Sequence, residues 1–293
     1  MNGLPPLGRE QNVCLPISPA TTPGASSTVD DEHLLVPLPI QRRNRKKWKD
    51  FTKKWKIPLK DFPWPILTTS ILQILFHVIS NEDFRKQLRF EPKKQTEVWR
   101  FVTYMLVHDD WYHLIFNILM QCLFATFLER RQGRLSVMSV YVVGGMTGVL
   151  GASCVHPDLV IGASAGVYAL LMSNLADIML NLETIKYKFI RIVYIVIIVV
   201  SDIIYNVIHF YSKDEPLISW GAHIVGGITG VLVGLILFKR NKEEDERLKR
   251  RNRIFFWCGV ILYCFLFLFL ILLSIQIKKC TPKNTYQKYV YFC

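Results

Sequence analysis

The stretch Val160-Ile161-Gly162-Ala163-Ser164-Ala165-Gly166-Val167-Tyr168 decides how the fold of this chain is interpreted. It places a serine between two glycines at the start of an apolar run that continues to Leu180. Small residues are common in membrane helices because they let two backbones approach closely, so packing is the simpler interpretation of this serine. A hydroxyl in the same position acts as a nucleophile only if a base lies beside it.

A second stretch supplies a candidate base. Trp220-Gly221-Ala222-His223-Ile224-Val225-Gly226-Gly227, followed by Gly230, sets one histidine among glycines in another apolar run. Gly226 and Gly230 are four residues apart and share a helix face, and Gly162 and Gly166 do the same. Such faces predict close packing of the two helices, which would bring the serine and the histidine together.

The composition indicates a membrane protein. The 293-residue chain is 51% hydrophobic and has a formal net charge of +13. Its basic residues lie in short blocks between apolar runs, which is typical of membrane topology and argues against a nucleic-acid partner. A bilayer core of about 30 Å needs about 20 apolar residues in a helix. By that measure the predicted spans cover about residues 63–80, 112–128, 135–154, 160–180, 189–210, 217–238 and 254–277.

These seven spans predict an all-α, polytopic membrane helix bundle with six core helices and one C-terminal transmembrane helix. With the N-terminus inside, the cytoplasmic segments carry 24 Lys or Arg and the outer segments carry 11, which favours that orientation. Ser164 and His223 then lie at similar depths near the outer surface. The predicted domains are a disordered and basic cytoplasmic tail at 1–62, the core at 63–238, a basic cytoplasmic linker at 239–253, the seventh helix at 254–277 and an outer tail at 278–293.

The cysteines and other motifs favour no cofactor. The seven cysteines form no Cys-x-x-Cys pair, and the chain has no His-Glu-x-x-His zinc motif and no phosphate loop. The sequence therefore predicts neither a metal nor a small-molecule cofactor. Cys280 and Cys293 share the C-terminal tail, where they would pair in an oxidising lumen and otherwise stay as thiols.

Polar residues on a neighbouring span complete a candidate site. His113 and Asn117 are four residues apart, so they share a helix face near the depth of Ser164. Polar residues inside a membrane usually mark function. Here they would form either an interhelical hydrogen bond or, with the backbone N–H of Ser164, an oxyanion site. Tyr168, one turn beyond Ser164, is placed to stack on the imidazole of His223.

Asp202 lies in the fifth span and has two interpretations. Gly-x-Ser-x-Gly followed by Asp and His is the chain order of an α/β-hydrolase. We reject that fold because it requires soluble strands and helices, whereas these apolar runs have membrane length. The favoured role for Asp202 is a bond to a neighbouring helix or to water. Orientation of His223 is the less favoured alternative.

Taken together, five motifs resemble those of a rhomboid intramembrane serine protease. The resemblance covers about residues 63–238 and follows the order of the family. The motifs are Trp99-Arg100, His113-x-x-x-Asn117, Glu129-Arg130-x-x-Gly133, Gly162-Ala163-Ser164 and Ala222-His223-x-x-Gly226-x-x-x-Gly230. One position departs from the family. The serine of the family is most often followed by glycine, whereas this chain has Ala165.

The resemblance implies a role for each site residue. Ser164 would be the nucleophile and His223 the general base. The fifth span would be a mobile lateral gate, with Asp202 near the entry path, and Trp99-Arg100 would have a structural role in the outer loop. The implied oxyanion donors are the side chains of His113 and Asn117 and the N–H groups of Ala163 and Ser164.

The implied reaction is cleavage of single-pass membrane proteins near the outer end of their transmembrane helix. The seventh span behind the core is similar to that of animal secretory-pathway rhomboids, including a protease that releases epidermal-growth-factor-like ligands. The expected location is therefore the Golgi or plasma membrane, with the lipid bilayer and single-pass substrates as partners. The alternative is a non-proteolytic rhomboid-like protein that binds client transmembrane helices for trafficking. A solute transporter is disfavoured, because the chain lacks internal repeats.

Overall fold

A computed structural model describes residues 63–155, 161–212, 220–240 and 246–280. The predicted tail at 1–62 and the predicted pairing of Cys280 with Cys293 lie outside these residues. The helices of the described part, in chain order, are α1 (Trp64–Ile79), α2 (Glu82–Leu88), α3 (Arg100–Thr103), α4 (Trp111–Gln132), α5 (Arg134–Val155), α6 (Ser164–Leu180), α7 (Lys188–Ser212), α8 (Trp220–Leu237) and α9 (Glu246–Cys280).

Each of the seven longest helices in the described part overlaps one predicted span, and α2 and α3 are short helices of the outer loop. Within the described residues, α4, α5, α8 and α9 are long and apolar enough to cross a membrane, judged by length and composition. Helices α1 and α6 are apolar and shorter. Many large apolar side chains of these helices are exposed, as a surface that faces lipid requires. The prediction of an all-α membrane bundle is confirmed.

Local capping explains where α4 begins and ends. The carboxylate of Asp110 accepts a hydrogen bond of 2.7 Å from the backbone N–H of His113, which satisfies one of the free donors at the helix start. At the other end Gly133 has a φ of +89°, a conformation that glycine adopts without steric cost. The chain therefore turns at once into α5.

Backbone contact holds α5, α6 and α8 together at the centre of the bundle. A Cβ atom added to Gly226 or Gly230 of α8 would overlap the carbonyl oxygen of Ala165 or Ala169 on α6. A Cβ atom added to Gly144 of α5 would overlap the Cβ of Ala169. Membrane helices gain little from the hydrophobic effect when they associate, so close contact of this kind supplies the attraction.

The outer loop is organised by Arg100, as the resemblance implied. Its guanidinium is buried and donates hydrogen bonds of 2.8 Å and 2.7 Å to the carbonyl oxygens of Lys86 and Arg89. It also forms an ion pair of 2.6 Å with Glu97. These bonds connect α2 to α3, and the loop is therefore a folded unit beside the bundle.

Helix α7 is attached much more loosely than α6. Among the residues of α7 whose burial the structure describes, Ile195 alone is buried. The ring of Tyr194 stacks on Phe124 at a centroid distance of 6.1 Å. Near the start of α7, Arg191 forms an ion pair of 2.8 Å with the buried carboxylate of Asp177 on α6. The remaining described surface of α7 consists largely of exposed apolar side chains.

Candidate active site

A tight turn holds Ser164 at the first position of α6. Gly162 has a φ of +91°, and its N–H donates to the carbonyl oxygen of Tyr104 at 3.2 Å. The turn also packs against the His113 ring, because a Cβ atom added to Gly162 would lie 2.5 Å from its Cε1 atom. Both the backbone conformation and the space therefore require glycine at this position.

The structure brings Ser164 and His223 together. The Oγ atom of Ser164 lies 2.9 Å from the Nε2 atom of His223, although 59 residues separate them in the chain. The side chain of His223 is 8% exposed. The contact is possible because α8 approaches α6 so closely at its glycines. A nucleophile and a base within hydrogen-bonding distance are the minimum that serine catalysis requires.

Tyr168 fixes one face of the imidazole. Its ring is stacked on that of His223 with a centroid distance of 4.3 Å and an interplanar angle of 10°. An offset stack of this kind is worth about 0.5–1.5 kcal/mol beyond the area that it buries. Because Tyr168 lies one turn after Ser164 on α6, a single helix presents both the hydroxyl and the ring that holds its partner.

Asp202 contacts the other nitrogen of the imidazole. Its Oδ2 atom lies 3.1 Å from the Nδ1 atom of His223. The sequence favours a bond from Asp202 to a neighbouring helix or water, whereas this contact favours orientation of His223. A carboxylate beside Nδ1 holds the proton there, which leaves the lone pair of Nε2 free for the hydroxyl of Ser164.

His113 and Asn117 differ in how they approach the serine. The His113 ring lies against Gly162, two residues before Ser164. The amide of Asn117 is buried and donates a 3.0 Å hydrogen bond to the carbonyl oxygen of His113 in its own helix. His113 is therefore the better placed of the two predicted oxyanion donors.

Two details of the predicted site are wrong. The N–H of Ala163, expected to face an oxyanion, instead donates to the Nε2 atom of His108 at 3.4 Å. Gly162 and Gly166 also do not share the face that meets α8, because α6 begins only at Ser164 and Gly162 lies in the preceding turn. Gly166 is still closely packed, against Met105 and Tyr141.

The departure at Ala165 is accommodated by a glycine on the opposite helix. Ala165 is buried, and a Cβ atom added to Gly148 of α5 would lie 2.7 Å from its methyl group. A larger residue at either position would force α5 and α6 apart. The alanine therefore fits beside the candidate nucleophile without displacing it.

His108 is a residue of the site that the sequence argument missed. It lies between the Tyr104–Leu106 turn and α4, is almost fully buried, and accepts the Ala163 N–H that leads into the serine. Burial, together with the neighbouring imidazole of His113, lowers the pKa of His108 to about 3. A neutral imidazole is required here because only an unprotonated nitrogen accepts a hydrogen bond.

A second missed cluster lies at the opposite end of α6. The carboxylate of Asp177 is fully buried and binds the guanidinium groups of Arg131 and Arg191, each at 2.8 Å. The side-chain amide of Asn181 donates to the same carboxylate at 3.1 Å. The sequence signal for this cluster is one acidic residue and two arginines, each near the end of an apolar run. It fixes the orientation of α6 between α4 and α7.

Comparisons with known proteins agree with the predicted family. A family model described as the rhomboid domain matches residues 95–240. Rhomboid-related protein 2 of Mus musculus is 33% identical over 221 residues, covering 73% of this chain and 66% of the relative. Rhomboid-related protein 1 of Caenorhabditis elegans is 30% identical over 61% of this chain and 51% of the relative. The matched region thus spans between half and about two thirds of these relatives.

The described part of the chain is a helical membrane bundle in which a serine and a histidine are in contact. The chain belongs to the rhomboid family. The similar proteins also include Inactive rhomboid-related protein 2 of Caenorhabditis elegans, which is 26% identical over 60% of this chain. Membership of the family is therefore compatible with either catalysis or its absence, and the roles of the individual site residues stay predictions.

Proposed function

We propose that this chain is an intramembrane serine endopeptidase, with Ser164 as nucleophile and His223 as general base. The single observation that supports this function best is the 2.9 Å contact between the hydroxyl of Ser164 and Nε2 of His223. The contact joins two helices whose backbones touch, so the distance is held by the fold. Preorganisation of this kind removes much of the entropic cost of bringing the two groups together.

The reaction proceeds in two stages. His223 takes the proton of Ser164 as Oγ attacks the carbonyl carbon of the scissile bond, and the resulting oxyanion faces the N–H of Ser164 and the ring of His113. The C–N bond then breaks as the imidazolium gives its proton to the leaving amine. Water, deprotonated by His223, attacks the acyl-enzyme, and the proton returns to Ser164. One peptide bond and one water molecule are consumed.

The start of α6 suits this chemistry. The first N–H groups of an α-helix have no carbonyl partner within the helix, and the helix dipole places partial positive charge there. Ser164 is the first residue of α6, so its own N–H lies beside its hydroxyl. Removal of one oxyanion donor typically costs about 10²–10³ in rate.

Single-pass membrane proteins are the substrates that this site suits. The carbonyl groups of a transmembrane helix are bonded within the helix and are inaccessible to a nucleophile. A substrate must therefore unwind locally, and glycine or proline near the outer end of its helix lowers that cost. The proposal places the N-terminus of the chain in the cytoplasm, the site near the outer face of the Golgi or plasma membrane, and the outer segment of the substrate in the product that is released.

The experiment is release of a tagged ectodomain from cells that express this chain and a panel of single-pass proteins. We expect release with the wild type and none with Ser164→Ala or His223→Ala at equal membrane expression. Ser173→Ala is the matched control, because Ser173 is also a serine of α6 and its hydroxyl only donates to the carbonyl of Leu170. Release by Ser164→Ala equal to that by the wild type would eliminate the proposed nucleophile.

A non-proteolytic protein that holds client helices for trafficking is the second candidate. Its support is the similarity to a relative whose name states that it is inactive. This candidate predicts that Ser164→Ala leaves the trafficking of a co-expressed client unchanged and that no cleavage product forms with any variant. The same expression experiment therefore separates the two functions.

A further inference from the structure

Asp202 is the single acidic residue in the sequence of α7, and the rest of that helix is mainly apolar. An ionisable group within such a run is costly unless it has a partner. Its carboxylate is 23% exposed and faces Nδ1 of His223 at 3.1 Å. Asp202, His223 and Ser164 thus form one continuous line of polar contacts across α7, α8 and α6.

A second group holds the carboxylate in place. The hydroxyl of Tyr168 interacts electrostatically with the carboxylate of Asp202, while the ring of Tyr168 is stacked on His223. The carboxylate therefore lies beside both the imidazole of His223 and the tyrosine that stacks on it. A carboxylate that only anchored α7 would need a single contact. It would also have no reason to face Nδ1, the imidazole nitrogen that does not contact Ser164.

We propose that Asp202 is a positioning residue that completes a Ser-His-Asp triad assembled from three membrane helices. This inference rests on the proposed function. The carboxylate keeps the proton of the neutral imidazole on Nδ1, so that Nε2 accepts the proton of Ser164. It also stabilises the imidazolium that forms when Ser164 attacks. Serine proteases of other folds use a buried aspartate for these two purposes.

The alternative role is a mechanical one, in which Asp202 fastens the exposed helix α7 to the core. Arg191 offers a direct comparison, because its ion pair with Asp177 also fastens α7. At 1.5 Å per residue the two attachments lie about 17 Å apart along the helix. Loss of Arg191 therefore loosens α7 at a site remote from the imidazole.

The experiment measures how fast a fluorophosphonate probe labels Ser164 in the purified full chain in detergent micelles. The probe reacts with the hydroxyl and needs no docking of a substrate helix, so it reports on activation of the serine. The variants are Asp202→Asn, which is nearly isosteric, and Arg191→Gln. Ser201→Ala is the matched control, since Ser201 adjoins Asp202 on α7 and its hydroxyl only donates to Ile197 within the helix.

We expect Asp202→Asn to slow labelling by about 10²-fold, within the range that acid–base assistance typically contributes. It should lower kcat for a cleaved substrate by a similar factor with little change in KM. Arg191→Gln and Ser201→Ala should label within about twofold of the wild type. Equal slowing by Asp202→Asn and Arg191→Gln, or a rate for Asp202→Asn within twofold of the wild type, would overturn the inference.

Chemical rescue keeps the test decisive if Asp202→Asn does not fold. Asp202→Ala leaves space for a small carboxylate, and sodium formate should then restore part of the labelling rate while sodium chloride does not. A folded Asp202→Ala that labels at the wild-type rate, or is not rescued by formate, contradicts the triad. In either case a wild type that labels and cleaves leaves the serine protease function standing. A wild type that does neither removes that function together with the triad.

Discussion

The two helices that flank His223 contrast sharply in their packing. Helix α6, which carries Ser164 and Tyr168, is buried along most of its length. Helix α7, which carries Asp202, has Ile195 as the single buried residue among those whose burial is described. The nucleophile thus lies on an element that is fixed by backbone contact, whereas the carboxylate lies on an element with few buried side chains.

The largest effect is expected from a substitution that separates α6 from α8. Gly230→Leu should abolish proteolysis, because its side chain must displace the backbone of α6 at Ala169. A displacement of about 1 Å can cost on the order of 10²-fold in rate. The measurement is ectodomain release, together with the thermal midpoint of the purified protein. Activity near that of the wild type would mean that the close contact is dispensable.

The next largest effect is expected at His108, which accepts a hydrogen bond from Ala163 just before α6 begins. The folded protein depresses the pKa of His108 to about 3, whereas an unfolded histidine titrates near 6.5. The unfolded state therefore binds more protons between these values, and the stability that His108 contributes is present above pH 6.5 and is lost as the pH falls. From pH 7 to pH 5 the loss is about 2 kcal/mol. His108→Gln should remove this part of the acid sensitivity.

The measurement for His108 is the free energy of unfolding in detergent at pH 7 and pH 5, for the wild type and for His108→Gln. We expect a smaller decrease in the variant, because glutamine does not titrate. Equal decreases in both proteins would show that the buried ring is not the source of the acid sensitivity. Each protein is compared with itself at the two pH values, so it does not matter which of the two is more stable at pH 7.

A smaller effect is expected at the ring that α6 places on His223. Tyr168→Leu should reduce kcat about three- to tenfold, since the stack is worth about 0.5–1.5 kcal/mol. Tyr168→Phe keeps the ring and removes the hydroxyl beside Asp202, so it separates loss of the stack from loss of that hydroxyl. If the leucine variant retains full kcat, the stacked ring has no part in holding the imidazole.

The smallest effect should come from the exposed face of α7. Ile204 is 52% exposed and contributes little to packing, so Ile204→Ala should change the free energy of unfolding by less than about 0.5 kcal/mol. The quantity to measure is the same unfolding free energy in detergent. A loss several times larger would show that α7 is packed as firmly as α6 in solution.

Much of the fold followed from the sequence because a membrane helix needs a long apolar run, and seven such runs are present. The contact between Ser164 and His223 followed from their similar depth and from glycines that permit close approach. The bond from Asp202 to His223 did not follow. It depends on how α7 is rotated against α8, and residue spacing within one helix does not fix its rotation relative to another.

The other errors concern where α6 begins and which way a side chain of the preceding connector points. The apolar run predicts a fourth span from about residue 160, with Gly162 on a helix face, whereas the helix starts at Ser164 and Gly162 forms the turn. His108 was overlooked because it adjoins Asp109 and Asp110 in what looks like a polar connector. Only the folded chain reveals that this imidazole turns inward and receives the N–H of Ala163.

The central claim is that His223 activates Ser164 within the contact between α6 and α8, and labelling by a fluorophosphonate tests it most directly. The wild type should be labelled at Ser164, and His223→Ala should be labelled roughly 10²–10⁴-fold more slowly, which is the usual contribution of a general base. Equal labelling of the two proteins, or a folded wild type that is not labelled at all, would contradict the account.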